Sequence, residues 1–88
     1  MTIRLLIADD HQLMREGLHA LLDSQSDMIV VDEACNGRDV VAKAARLTPD
    51  IVLMDIGMPE LNGIDATRQI AELAQPPRII ALSMHADR

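Results

Sequence analysis

Four short apolar runs recur along this chain, one about every 25 residues, and the stretches between them carry apolar residues at helical spacing. The runs are Ile3-Arg4-Leu5-Leu6-Ile7-Ala8, Met28 to Cys35, Ile51-Val52-Leu53-Met54, and Arg78-Ile79-Ile80-Ala81-Leu82-Ser83. Strands alternating with helices imply a parallel sheet joined by right-handed crossovers. The expected class is therefore α/β, in a single small domain. Strands this apolar need cover on both faces of the sheet. Three intervening helices barely provide it for four strands.

The first helix is expected from about His11 to Ser24, with Leu13, Met14, Gly17, Leu18, Leu21 and Leu22 along it. Asp10 is placed to cap its start, and Gly17 to let it approach a neighbour. Asn36-Gly37 signals a turn. A second helix then runs through Val40, Val41, Ala44, Ala45 and Leu47 until Thr48-Pro49 stops it. Gly57, Met58, Pro59, Asn62 and Gly63 make a loop rich in helix breakers. A third helix spans about Ile64 to Leu73, with Ile64, Thr67, Ile70 and Leu73 or Ala74 on one face. The chain is 49% hydrophobic without one Phe, Tyr or Trp, so aliphatic side chains and methionine must build the core. Met14, Met54 and Met58 read as packing residues, and Cys35 as a small buried side chain.

Several functions are disfavoured. A formal net charge of -6 argues against direct nucleic-acid binding, which needs a basic face. A single cysteine excludes an intrachain disulfide and fits a reducing cytoplasm. Arg4 interrupts the apolar start, so no signal peptide is expected. No apolar run approaches the roughly 20 residues that span a bilayer.

Polar residues gather where strands end. Asp9 and Asp10 close the first strand, Asp55 the third, and Ser83 the fourth. In open α/β sheets, ligands bind outside the carboxyl ends of the strands, where the connection direction reverses. If the first and third strands are neighbours, with the second outside the first, Asp9, Asp10 and Asp55 converge there. Clustered carboxylates either take up a proton or bind a cation. Hard oxygen donors suit Mg2+. A carboxylate beside such a metal can serve as a nucleophile in aspartyl-phosphate chemistry. His11, His19 and His85 are spread out and lack a metal-ligand spacing. His19 reads as a helix-surface residue, and His85 as a residue near the mouth of the pocket.

The Asp9-Asp10 pair, the run Asp55-Ile56-Gly57-Met58-Pro59-Glu60-Leu61-Asn62-Gly63 and Ser83 together resemble response-regulator receiver domains. The resemblance covers essentially all 88 residues. Ala8-Asp9-Asp10-His11 and Leu82-Ser83-Met84-His85 are similar to the subfamily with a LuxR-type helix-turn-helix output domain. The resemblance implies a flavodoxin-like, doubly wound parallel sheet of strand order 2-1-3-4. It implies that Asp55 accepts a phosphoryl group from a sensor histidine kinase. Asp10, Asp55 and the Gly57 carbonyl would bind Mg2+, Asp9 would hold it partly through water, and Ser83 would be the switch hydroxyl. Pro59 and Gly63 would shape the loop. The family also has a fifth strand ending in a lysine, flanked by helices. The chain stops before it, and its only lysine, Lys43, lies in the second helix, so no lysine is carried over.

Two other readings compete. A haloacid-dehalogenase-like phosphatase needs Asp-x-Asp at the nucleophile, but Gly57 follows Asp55 at the second position. A receiver fragment lacking its last βα unit could serve only as a structural or dimerisation element. Its fourth strand would then form an open edge beside uncovered apolar surface, which predicts a homo-oligomer.

Overall fold

The computed structural model describes residues 2–55, 58 and 63–82. Four strands and three helices alternate in the expected order: β1 (Ile3–Ala8), α1 (Gln12–Asp23), β2 (Met28–Ala34), α2 (Gly37–Leu47), β3 (Ile51–Asp55), α3 (Gly63–Ala71) and β4 (Arg78–Leu82). The strands form one sheet in the order β2-β1-β3-β4, every pairing parallel. The expected strand order is the observed one.

Strand alternation sorts side chains between the two faces. Leu6 and Ala8 of β1, Val52 and Met54 of β3, and Ala34 of β2 join Val40 and Ala44 of α2 and Ala66 and Ile70 of α3 in one buried cluster. Full burial of a side chain such as Leu6 or Ile70 contributes about 1.5–3 kcal/mol. Leu5 and Ile7 are also buried, but on the α1 side. Asp32 and Glu33 show the same division in β2. Lys43 of α2 lies 3.5 Å from Asp32, whereas Arg15 and His19 of α1 reach Glu33 at 3.1 and 2.6 Å. The β1–β2 register shifts between Leu5 and Leu6, which leaves Val31 as an extra residue in β2.

Two helix ends follow local chemistry. Asn36 caps α2, its side chain accepting from the Asp39 amide at 2.8 Å. Thr48 ends α2 in the left-handed region at φ 45°. The proline after it disfavours the right-handed helical conformation. The strained carbonyl is held by the Arg4 guanidinium, which donates to it at 2.8 Å. Arg4 and Asp50 also exchange backbone and side-chain bonds that pin β1 beside β3 at the end of the sheet remote from the aspartates.

Several expectations are corrected. His11, not Asp10, is the N-cap of α1, and no side chain caps that helix. Nothing lies within 4 Å of where a Gly17 Cβ would stand, so Gly17 permits no close approach. No residue of α1 is buried, and Leu13 is 82% exposed, because among the described residues only α1 covers that side of the sheet. α3 begins at Gly63, ends at Ala71 and buries Ala66 and Ile70, leaving Ile64 exposed. Cys35 is exposed, because it stands just beyond the end of β2. Met54 and Met58 are core residues as expected. No helix among the described residues is long and apolar enough to cross a membrane.

His19 links α1 to β2. Its Nδ1 lies 2.6 Å from Glu33 and its Nε2 2.9 Å from Asp23. The hydrogen bond to Glu33, aided by the charges of Asp23 and Glu33, raises its pKa above 6.5. A raised folded-state pKa contributes stability that is complete below 6.5 and is lost as pH rises through the higher folded value. Urea midpoints measured at about pH 6 and about pH 8.5 should therefore fall with rising pH. His19→Gln should reduce that fall. An unchanged slope in His19→Gln would show that the link contributes nothing to folding.

Candidate metal centre

Parallel pairing of β1 with β3 sets Ala8 opposite Met54. The next residue in each strand is an aspartate, so Asp9 and Asp55 emerge side by side at the carboxyl edge. The Asp9 amide donates to the Ala34 carbonyl at 3.0 Å, which extends the hold of β2 to Asp9 itself. Asp9 is fully buried and Asp55 is 4% exposed, whereas Asp10 is open to solvent. Met58 packs into the core cluster beneath them.

His11 completes the group. Its backbone at φ -102°, ψ 109° is extended, and the ring folds back over the strand end. Nδ1 lies 2.9 Å from Asp9 Oδ1, 3.1 Å from Asp10 Oδ1 and 3.9 Å from Asp55 Oδ2. The His11 amide donates to the same Asp9 Oδ1 at 2.8 Å, closing a tight Asx-type turn. The hydrogen bond to Asp9, followed by the charge of Asp10, raises the His11 pKa above its ordinary value. Arg15 donates to the Asp9 backbone carbonyl at 2.7 Å and steadies the strand end from α1.

The expected convergence of Asp9, Asp10 and Asp55 is present. Gly57, Pro59, Asn62, Ser83 and His85 lie outside the described residues. Lys43 is far from the site chemically: it donates to the Glu33 carbonyl at 2.6 Å and pairs with Asp32 and Asp39. Sequence spacing missed His11, because its proximity comes from a turn and not from a repeat. Its place directly after the acid pair was the available signal.

The donor set fits a divalent cation. One ligand atom from each of Asp9, Asp10, His11 and Asp55 lies within 4.8 Å of all the others. Asp9 Oδ2 is buried and accepts no hydrogen bond from the described residues. A buried carboxylate oxygen without a donor is costly, and a cation on the carboxyl side of the sheet would satisfy it.

Fold and site together define a receiver of the kind used in two-component signalling. The chain belongs to the response regulator receiver domain family, whose pattern matches residues 5–88. It is 44% identical over 85 residues to the transcriptional regulatory protein LiaR of Bacillus subtilis, covering 97% of this chain and 40% of LiaR. It is 40% identical over 83 residues to the response regulator protein VraR of Staphylococcus aureus, covering 94% of this chain and 40% of VraR. The chain thus spans about two fifths of the length of these curated relatives. Among solved structures, the response regulator domain of Thermotoga maritima CheB superposes with a TM-score of 0.93 at 44% identity, covering all of this chain and 65% of that one. A LuxR-family two-component response regulator from Aurantimonas superposes at 0.89 with 36% identity, covering 97% of this chain and 61% of that one. The CheX–CheY–BeF3–Mg complex from Borrelia burgdorferi does so at 0.84 with 28% identity, covering 98% and 65%.

Repulsion among the three carboxylates generates a prediction. Two unit charges about 4 Å apart repel by about 4 kcal/mol at an effective dielectric near 20. Asp9→Asn removes one charge and supplies an amide donor. In EDTA the variant should be more stable than the parent by on the order of 1 kcal/mol, and added Mg2+ should narrow the gap. Thermal melts with and without Mg2+ would show it; a destabilised variant in EDTA contradicts the repulsion argument.

Proposed function

We propose that the chain is a phosphorylation-controlled switch module that accepts a phosphoryl group on Asp55 from a sensor histidine kinase. The observation that carries this reading is the meeting of a nearly buried Asp55 with Asp9 and Asp10 at the carboxyl edge of the sheet. An Asp55 oxygen forms the new bond to phosphorus as the bond from phosphorus to the kinase imidazole breaks. The imidazole leaves with the electron pair and takes up a proton. The two strands hold Asp55 in place, so its carboxylate needs little reorganisation before attack.

Asp10 and Asp55 are the proposed direct ligands of Mg2+, with Asp9 beside them and the Gly57 carbonyl as a further donor. When bound, the metal neutralises charge on the transferring phosphoryl oxygens. Ser83 is the proposed switch hydroxyl. The Borrelia complex, which contains both Mg2+ and a beryllofluoride, supports this assignment by likeness. The module acts as a phosphoacceptor and not as an enzyme on a diffusible substrate. LiaR, a transcriptional regulatory protein, supports a role in transcription, and the LuxR-family regulator from Aurantimonas supports an attached LuxR-type DNA-binding domain; the proposed location is the cytoplasm. Residues 1–88 form the receiver unit of this arrangement.

Beryllofluoride with Mg2+ provides the test, followed through backbone amide resonances. Saturable shifts at Asp9, Asp10, Asp55 and Ser83 are expected, and Asp55→Asn should abolish them. Persistence of the same shifts in Asp55→Asn would remove Asp55 from the role.

Self-association is a second part of the proposal. Among the described residues β4 is an edge strand, and its Ile80 is 44% exposed on the α1 side of the sheet. Open edges and uncovered apolar surface favour pairing with another copy. Sedimentation equilibrium at high micromolar concentration should give a mass above that of one chain; a monomer there rejects it.

A further inference from the structure

We propose that His11 is a nitrogen ligand of this centre, and that it gives an oxygen site suited to Mg2+ a preference for a divalent transition metal such as Co2+, Ni2+ or Zn2+. The inference rests on the acidic-site reading above and adds to it a donor of a different class.

The geometry carries it. With metal–ligand bonds of about 2.1 Å, adjacent ligands of an octahedral ion stand about 3.0 Å apart. His11 Nδ1 stands 2.9 Å from Asp9 Oδ1, a hydrogen-bond contact whose proton a bound ion would displace to solvent, and 3.1 Å from Asp10 Oδ1. Its 3.9 Å separation from Asp55 Oδ2 approaches the roughly 4.2 Å between opposite ligands of such an ion. One ion could therefore touch the nitrogen and the flanking carboxylates after small side-chain adjustments. Asp9 Oδ2, the oxygen not engaged by His11, is a second sign of a ligand here, since it is buried and has no partner among the described residues.

The His11 ring is positioned by the chain. The hydrogen bond its backbone amide donates to Asp9 Oδ1 and its extended N-cap backbone hold Nδ1 toward the carboxylates. The His11 side chain is 63% exposed, so Nε2 can face water while Nδ1 ligates. Imidazole suits Zn2+, Ni2+ and Co2+, whereas carboxylate and water suit Mg2+. The other described cysteine and histidine stand elsewhere. Cys35 is exposed at the end of β2, and His19 is engaged with Glu33 and Asp23.

The test titrates the chain with Co2+ and, separately, with Mg2+, in the parent, His11→Ala and His19→Gln. Calorimetry reads affinity. Proton NMR reads the hyperfine-shifted, exchangeable N–H of a cobalt-bound imidazole. The parent and His19→Gln should show that signal, and His11→Ala should lack it. His11→Ala should lose about tenfold or more of the Co2+ affinity, with Mg2+ affinity changed less than about twofold. Circular dichroism confirms that the variant folds. Co2+ binding without the ring signal, or equal losses for Co2+ and Mg2+, would falsify the assignment to His11. Failure of Mg2+ to bind the parent while the cobalt signal persists overturns the magnesium reading and leaves His11 as a ligand. Failure of both metals overturns both.

Discussion

Ala8 faces Met54 where β1 pairs with β3, and one step further along both strands the chain places an aspartate. Adjacent parallel strands therefore press Asp9 and Asp55 together whether or not the charges favour it. Asp10 follows immediately. The repulsion is on the order of a few kcal/mol. It is opposed by the apolar residues just behind: Leu6, Ile7, Val52 and Met54 are fully buried. Each contributes about 1.5–3 kcal/mol when buried. The core thus holds the charged edge together, and the far end of the strands is pinned by Arg4 and Asp50.

The two faces of the sheet are unequal. α2 and α3 pack side by side and seal one face with Val40, Ala44, Ala66 and Ile70. Among the described residues α1 stands alone on the other face, where charged side chains tie it down. Arg15 and His19 grip Glu33, and Arg15 also holds the Asp9 carbonyl. The helix fastened in this polar way is the one that carries His11 at its start. The strand-end aspartates are thus tied to α1 through Arg15 and the His11 turn.

Most of the fold was legible in the sequence. Short apolar runs with helical periodicity between them specify a parallel α/β sheet, and the Asp pair with the Asp55 run specified the strand order through resemblance. Three carboxylates at one strand edge followed from topology. What periodicity could not convey was depth. Leu13 and Ile64 carry apolar side chains at helical spacing, yet both are exposed, because periodicity names a face without naming what covers it. Asp10 looked like a cap because capping residues are known by type. The chain instead turned one residue later, with the Asp9 carboxylate taking the His11 amide. That turn also concealed His11, since a ring brought near by two residues of loop geometry has no spacing to detect.

Asp9 shows how the site is divided between chain and solvent. Its Oδ1 accepts twice, from the His11 amide and, when Nδ1 is protonated, from the His11 ring. Its Oδ2 is as deeply buried and accepts nothing. The described residues satisfy one oxygen with their own donors and give the other none. A ligand that binds only the folded chain stabilises it in proportion to occupancy. An ion held by Oδ2 would relieve an unmet buried acceptor and three mutually repelling charges at once. Binding at this edge is therefore coupled to the rigidity of the β1–β3 pair. Through Arg15 it also reaches the packing of α1.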